Sequence, residues 1–318
     1  MFKGVLASVL ASVMFGVMYG MAPGLAPLDG EQIFGWRVVV TLPFTTALLW
    51  WLKEQGQLAA IARRVRAQPA FALLLLASSA LLGVQLWLFM WAPLHGKALP
   101  VSLGYFLLPL TLVLAGRVLF HERLSRAQLL ATALASLGVL WEVLRVGGLA
   151  WETWIVCLGY PVYFALRRKM GTDHLGGHWL DMALLLPAAL WFMARAPSSL
   201  LAWQQASHLQ AMLPLLGLVS AAGLALYMLA SRWLPMGLFG LLSYVEPVLL
   251  ALVALMLGEQ LQTGQEPMYI AIFAAVAVLV VEGGLRLYQS GGAVEGDESA
   301  YAGRLAALPA AATDRCPW

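Results

Sequence analysis

Glu246 lies in the stretch 236–257, where it is the only charged residue, two positions after Tyr244 and directly before Pro247. A helix rises 1.5 Å per residue, so the carboxyl sits about ten residues deep, near the middle of a bilayer, if this stretch crosses one. An acid at that depth costs at least about 2.5–3.5 kcal/mol to insert. It must therefore face a protein interior and hold a partner or a proton. The chemistry open to it is reversible binding of a proton or a cation. The structural alternative is a neutral Glu246 bonded to helix backbone that Pro247 has freed.

Pro109 repeats the arrangement, with Tyr105 four residues before it. Each proline lacks an N–H and displaces the carbonyl four residues back, that of Tyr105 or Ser243. Freed carbonyls at membrane depth must line a cavity or find a donor, which favours a solute site between these two segments. Arg37 stands about four residues inside another apolar run, and Glu142 is a candidate partner for it. Thirteen Trp and nine Tyr are mostly interfacial by position. Trp87, Trp91, Tyr105, Tyr163, Tyr227 and Tyr244 lie deeper or beside the prolines, and are the candidates for an aromatic pocket suited to a flat or partly apolar organic solute.

The elements that must position these groups follow from composition. Of 318 residues, 61% are apolar and 11% charged, against about 45–50% and 25% in a soluble domain. Apolar runs broken by charge, Pro and Gly place helices near 4–22, 33–51, 70–92, 100–120, 127–144, 150–166, 179–194, 211–230, 236–257 and 268–285. Lipid leaves no water for unpaired backbone groups, and the runs show no alternating period, so the fold class is an all-α integral membrane protein with ten transmembrane helices. Gly4, Ser8, Ser12, Gly16 and Gly20 form a small-residue stripe suited to close helix packing, which marks the first run as a retained helix rather than a leader.

With ten crossings and a cytoplasmic N-terminus, fifteen Lys and Arg fall on the cytoplasmic side, including Arg63, Arg64, Arg66, Arg167, Arg168 and Lys169. Arg37, Lys97, Arg145 and Arg195 fall on the other. That bias puts both termini in the cytoplasm. Residues 289–318, Gly- and Ala-rich with Glu295, Asp297 and Glu298, read as a disordered cytoplasmic tail.

The segment SLGYFLLPLTLVLAGRVLFHERL in the fourth run matches GLLSYVEPVLLALVALMLGEQL in the ninth. Both carry Tyr, then Pro, then a Glu (Glu122 or Glu259) twelve or thirteen residues further on. Segments five crossings apart have opposite orientations, so the match predicts two inverted five-helix repeats, 1–146 and 147–288. Glu122 and Glu259 read as caps that pair with nearby basic groups or backbone.

WLFMWA at 87–92, SLGYFLLPL at 102–110 and HERLSRAQ at 121–128, with EPVLLALVALMLGE at 246–259, resemble the drug/metabolite transporter superfamily, EamA family, RarD-type. The resemblance extends over residues 1 to about 288. It departs from the usual pattern at Trp36 (in place of His), Leu108 (in place of Asn) and His121 (in place of Gly). The resemblance implies ten helices in two inverted halves, alternating-access transport and residence in a bacterial inner membrane. The family's name points to amphenicols without establishing them as cargo.

The histidines, His95, His121, His174, His178 and His208, read as loop or edge residues without metal-ligand spacing. No nucleophile elbow or phosphate-binding loop is present, and Cys157 and Cys316 suggest no disulfide framework. No cofactor is expected. The expected partners are a small organic solute, protons as a coupling ion, membrane lipids and a second copy in a homodimer. The net charge of +3 gives no reason to expect nucleic acid. The rival reading is a membrane enzyme or lipid-modifying protein acting at the interface.

Overall fold

The computed structural model describes residues 2–95, 97–195, 203–249 and 263–282. Among them every regular element is helical. The helices are α1 (Phe2–Gly20), α2 (Gly30–Trp51), α3 (Gly56–Ala67), α4 (Ala70–Leu94), α5 (Ala98–Leu119) and α6 (Arg126–Val146). They continue with α7 (Trp151–Met170), α8 (Leu175–Arg195), α9 (Ser207–Trp233) and α10 (Met236–Leu242). Helical backbone resumes at 245–249, and α11 covers 266–282.

Among the described residues six helices are long and apolar enough to cross a membrane: α1, α2, α4, α6, α8 and α9. Their outer faces are apolar as well. Leu6, Leu10, Val13 and Val17 of α1 and Leu137, Leu140 and Leu144 of α6 are all exposed. Water would not tolerate such continuous apolar surface, whereas lipid does, and the chain is a multi-pass membrane protein.

Local chemistry sets the helix ends. Asp29 caps α2 by accepting from Gln32 N at 2.8 Å, while the Gln32 side chain accepts from Asp29 N at 3.0 Å. Ser125 and Gln128 form the same reciprocal box on α6. α7 ends at Gly171, whose φ of 62° suits glycine.

Small residues bring the helices together. Gly4, Ser8, Ser12 and Gly16 of the α1 stripe are buried, Gly20 is not, and α1 packs along α9. A Cβ on Gly217 of α9 would lie 2.5 Å from the Val40 carbonyl oxygen of α2. In the second apolar cluster, Ala131, Ala135 and Val139 of α6 meet Met268, Ile272 and Ala275 around α11.

Three differences from the sequence-based expectation have physical causes. α3 is an amphipathic helix with Ile61 buried and Arg63 and Arg66 exposed, too short to span and so invisible to a search for long apolar runs. α8 begins at Leu175 rather than 179 because the charges near its start are buried together, as described below. The stretch expected as one helix over 236–257 breaks into a turn at 243–244, and its part beyond 249 lies outside the described residues. Glu259, Cys316 and the tail also lie outside them.

Candidate functional site

A cavity opens among the helices. Its walls come from α1 (Phe15, Met18), α2 (Arg37), α4 (Leu82, Leu86, Phe89) and α5 (Tyr105, Leu108). They are completed by α7 (Tyr160, Tyr163, Phe164), α8 (His178), α9 (Leu224, Tyr227, Met228) and Glu246.

The aromatic walls form an unbroken belt. Ring centroids lie 5.8 Å apart for Phe89 and Tyr105, 6.2 Å for Tyr105 and Tyr160, and 6.3 Å for Tyr160 and Phe164. Phe164 to Tyr227 is 5.4 Å and Tyr227 to Phe15 is 5.5 Å. Three of these contacts are edge-on, one is tilted and one stacked, arrangements that fix ring orientation and give the belt a defined shape.

Two opposite charges face this space. Arg37, 3% exposed, donates from Nε to Ser220 Oγ of α9 at 3.0 Å and lies with its guanidinium 6.0 Å from the Phe89 ring. Glu246 is 8% exposed and forms no hydrogen bond or ion pair through its carboxylate among the described residues. The two are close enough to interact electrostatically but are not in salt-bridge contact. The backbone beside Glu246 is locally satisfied: Glu246 N donates to the Ser243 carbonyl at 3.2 Å, and Ser243 Oγ bonds Tyr227 Oη at 3.0 Å. The carbonyl that Pro247 frees is therefore taken up by Glu246's own N–H.

Next to the cavity is a sealed polar cluster. Asp181 accepts from Tyr163 Oη at 2.8 Å and Ser79 Oγ at 2.7 Å, and forms an ion pair with Arg167. Arg167 also donates to Thr172 Oγ1 at 3.0 Å and to the Gly177 carbonyl at 2.9 Å. His178, 1% exposed, lines the cavity with its Nε2 unpartnered.

Of the sequence candidates, Glu246, Arg37, Tyr105, Tyr163 and Tyr227 line the cavity together. The others are placed elsewhere. Tyr244 is buried in the cluster around α6 and α11. Pro109 lies at the crossing of α5 and α10, where a Cβ on Gly240 would come 2.9 Å from its carbonyl oxygen. Pro247 is not among the lining residues. Trp87 and Trp91 pack on each other at 5.2 Å, and Trp91 stacks on His95 at 4.2 Å, toward one end of α4.

Two expectations are corrected. Glu142 does not meet Arg37: it binds Arg145, three residues along its own helix, at 2.6 Å, because a neighbour on the same face needs no long-range alignment. His178 is not an edge residue: it is buried inside α8, on the helix that also carries Asp181, whose carboxylate balances the charge of buried Arg167.

Tyr160, His178 and Asp181 are the polar groups that sequence reasoning missed. Spacing carried a signal for each, since Tyr160 precedes Tyr163 by three residues and His178 precedes Asp181 by three, which puts each pair on one helix face. Glu122 does cap, as expected. It accepts from Met236 N and Gly237 N at 2.7 Å each, at the start of α10, and from Arg168 at 3.1 Å.

A bundle of apolar helices with exposed apolar flanks and an aromatic centre faced by two opposite charges defines a polytopic membrane protein with an internal cavity. The chain belongs to the RarD family. It is 44% identical to the chloramphenicol-sensitive protein RarD of Pseudomonas aeruginosa over 275 residues, 86% of this chain and 92% of that one. It is 42% identical to an uncharacterized transporter of Pasteurella multocida over 288 residues, 90% and 98% of the two chains. An uncharacterized transporter of Haemophilus influenzae is 39% identical over 89% of this chain and 95% of its own. No family profile matches the chain. A crystal structure 15% identical in sequence superimposes with a TM-score of 0.59 over 86% of this chain and 97% of its own, a likeness of fold alone.

Proposed function

We propose that this chain is a secondary active carrier that moves a small organic solute, a drug or metabolite, across a bacterial inner membrane by alternating access. The observation that carries the reading is the cavity itself, lined by residues of α1, α2, α4 and α5 together with residues of α7, α8, α9 and Glu246. In this reading the chain crosses ten times, as inverted five-helix repeats 1–146 and 147–288 followed by a cytoplasmic tail, 289–318, with both termini cytoplasmic. The cavity then takes walls from the first four crossings of each repeat, while the fifth crossings, α6 and α11, pack on each other outside it. Rocking of one half against the other around a site at their interface is how inverted-repeat carriers work.

Glu246 is the coupling residue in this proposal. A carboxylate without a partner among the described residues, facing a cavity, can hold a proton or a cationic group of the solute but not both at once. Competition of that kind links proton entry to solute exit. The names of the relatives support transport. A second copy in a homodimer belongs to the same reading.

The test is untargeted mass spectrometry of solutes inside and outside cells producing the chain, beside cells producing equal amounts of Glu246→Gln. A solute whose distribution changes only with the intact chain supports the carrier and names its cargo. Distributions identical for both across several growth conditions would refute it.

A further inference from the structure

α3 runs between two helices apolar enough to span, α2 and α4, and is itself too short to cross. The chain leaves α2 at Trp50 and Trp51, both exposed, and exposed tryptophans at the end of a span belong at the level of lipid headgroups. The inner face of α3, Leu58, Ile61 and Val65, packs among residues of α4, α7 and α8. Its outer face, Ala59, Ala62, Arg63 and Arg66, carries positive charge only. Residues 52–69 hold four basic side chains against one acid, Glu54, which already accepts from Gln57 Nε2 at 2.9 Å.

The three arginines of α3 divide in use. Arg64 donates to the Met170 carbonyl of α7 at 2.6 Å and lies 4.1 Å from the Phe71 ring centre of α4. Arg63 and Arg66 form no hydrogen bond or ion pair among the described residues, and neither does exposed Lys169, the residue before Met170. Like charges three residues apart on one helix face repel, so an anion shared by Arg63 and Arg66 relieves them. Two residues beyond α3, the first turns of α4 expose Leu73, Leu74 and Leu76.

We infer that the outer face of α3 is a docking surface for anionic phospholipid, with the phosphate on Arg63 and Arg66 and the acyl chains along the start of α4. Guanidinium groups match phosphate oxygens in paired hydrogen bonds, which water-exposed arginines without an acid nearby leave free to form. A soluble acidic segment would answer the arginines but not the apolar surface beside them, whereas a lipid answers both. The inference does not depend on what the cavity holds. Arg64 and Gln57 fasten α3 to α7 and α8, the latter by accepting from Gly176 N at 2.7 Å, so a lipid that binds the folded α3 stabilises the bundle it is tied to.

The test uses the purified full-length chain in a neutral detergent, titrated with phosphatidylglycerol or with phosphatidylcholine of the same acyl chains and read by thermal unfolding. Phosphatidylglycerol should raise the melting temperature, with at least about tenfold more phosphatidylcholine needed for an equal shift. Added salt should narrow the difference. Arg63→Gln with Arg66→Gln should reduce the phosphatidylglycerol response to that of phosphatidylcholine. Arg123→Gln with Arg126→Gln should keep it; these exposed residues flank the α5–α6 turn at the same end of the bundle, where Glu122 meets Arg168. Equal responses of the unsubstituted chain to the two lipids would overturn the inference without need of any variant. A phosphatidylglycerol response that survives in the α3 variant, or falls equally in both variants, would overturn it as well, since the charge would then act diffusely. Glycerol 3-phosphate or hexaglutamate that reproduced the phosphatidylglycerol shift would also overturn it, and would assign the face to a small anion or to an acidic protein segment.

Discussion

Arg167 and Asp181 form an ion pair in which neither side chain reaches solvent, between the cytoplasmic-side end expected for α7 and the first turns of α8. The carboxylate is held by three further donors, Ser78, Ser79 and Tyr163, and the guanidinium by Thr172 and Gly177. Tyr163 links this cluster to the cavity, because its ring lines the cavity while its hydroxyl binds Asp181.

Removing one member of such a pair strands the other. Asp181→Ala leaves Arg167 buried without its counter-charge and should cost about 3–5 kcal/mol, visible as a lower melting temperature and reduced folded yield. Replacing both, Arg167→Met with Asp181→Leu, should recover most of that loss, since no uncompensated charge remains. A double variant as unstable as the single one would show that the hydrogen bonds, rather than the paired charges, hold α7 to α8.

Glu122 joins three elements by accepting from the first N–H groups of α10 and from Arg168 of α7. Glu122→Ala should lower stability by about 1–2 kcal/mol through loss of the cap and of the charge at a helix N-terminus. Glu122→Gln, which keeps an acceptor but no charge, should lose less. The check is thermal unfolding of the three proteins in one detergent; an alanine variant as stable as the parent would show that water replaces the cap.

Much of the helical framework was legible because apolar runs and charged breaks are what lipid demands, and α1, α2, α4, α6 and α9 lie within a few residues of the expected ranges. Glu246 was legible as an interior group because a charge deep in an apolar run is too costly to leave facing lipid, whereas Arg37, about four residues inside its run, was singled out without its true neighbours. Depth, however, does not tell which way a side chain faces. Trp87 and Trp91 were placed by depth and lie outside the cavity, whereas Tyr160 points in. Arg167, His178 and Asp181 were hidden for the opposite reason. Charges that neutralise each other inside a bundle look, in sequence, like the edge of a membrane span. The amphipathic α3 was missed because its order comes from packing Ile61 against Phe71 and Met170, not from length or apolarity.

His174 gives a pH dependence. It lies just outside α8, where its Nδ1 accepts from Gly177 N at 3.1 Å, and that bond requires an unprotonated nitrogen. Burial, with Arg232 nearby, holds the imidazole below its usual value of 6.5. In the window below that value the unfolded chain binds more protons at this site than the folded one, so stability rises with pH and is lost as pH falls. The melting temperature should therefore drop between about pH 7 and pH 5. His174→Asn, which keeps a non-titrating acceptor, should flatten this part of the profile, and an unchanged slope would assign the dependence to another group.

Gly217 tests how closely α2 and α9 must approach for Arg37 to reach Ser220. A Cβ at 217 would lie 2.5 Å from the Val40 carbonyl oxygen and 2.8 Å from its carbon, backbone atoms that cannot turn aside as a side chain would. Gly217→Ala should therefore push the two helices apart and cost about 1–3 kcal/mol. The separation should also lengthen the Arg37 Nε to Ser220 Oγ bond, now 3.0 Å, and loosen the guanidinium on its side of the cavity. At Gly56, the start of α3, a Cβ would meet nothing within 4 Å, so Gly56→Ala is the matched control. It should leave the melting temperature unchanged or raise it slightly, because alanine favours a helix over glycine by up to about 1 kcal/mol. A loss of stability and of Glu246-dependent solute movement in Gly217→Ala, with neither in Gly56→Ala, would tie the cavity's geometry to this one helix contact. Equal behaviour of the two variants would mean that the bundle absorbs the methyl group without moving Arg37.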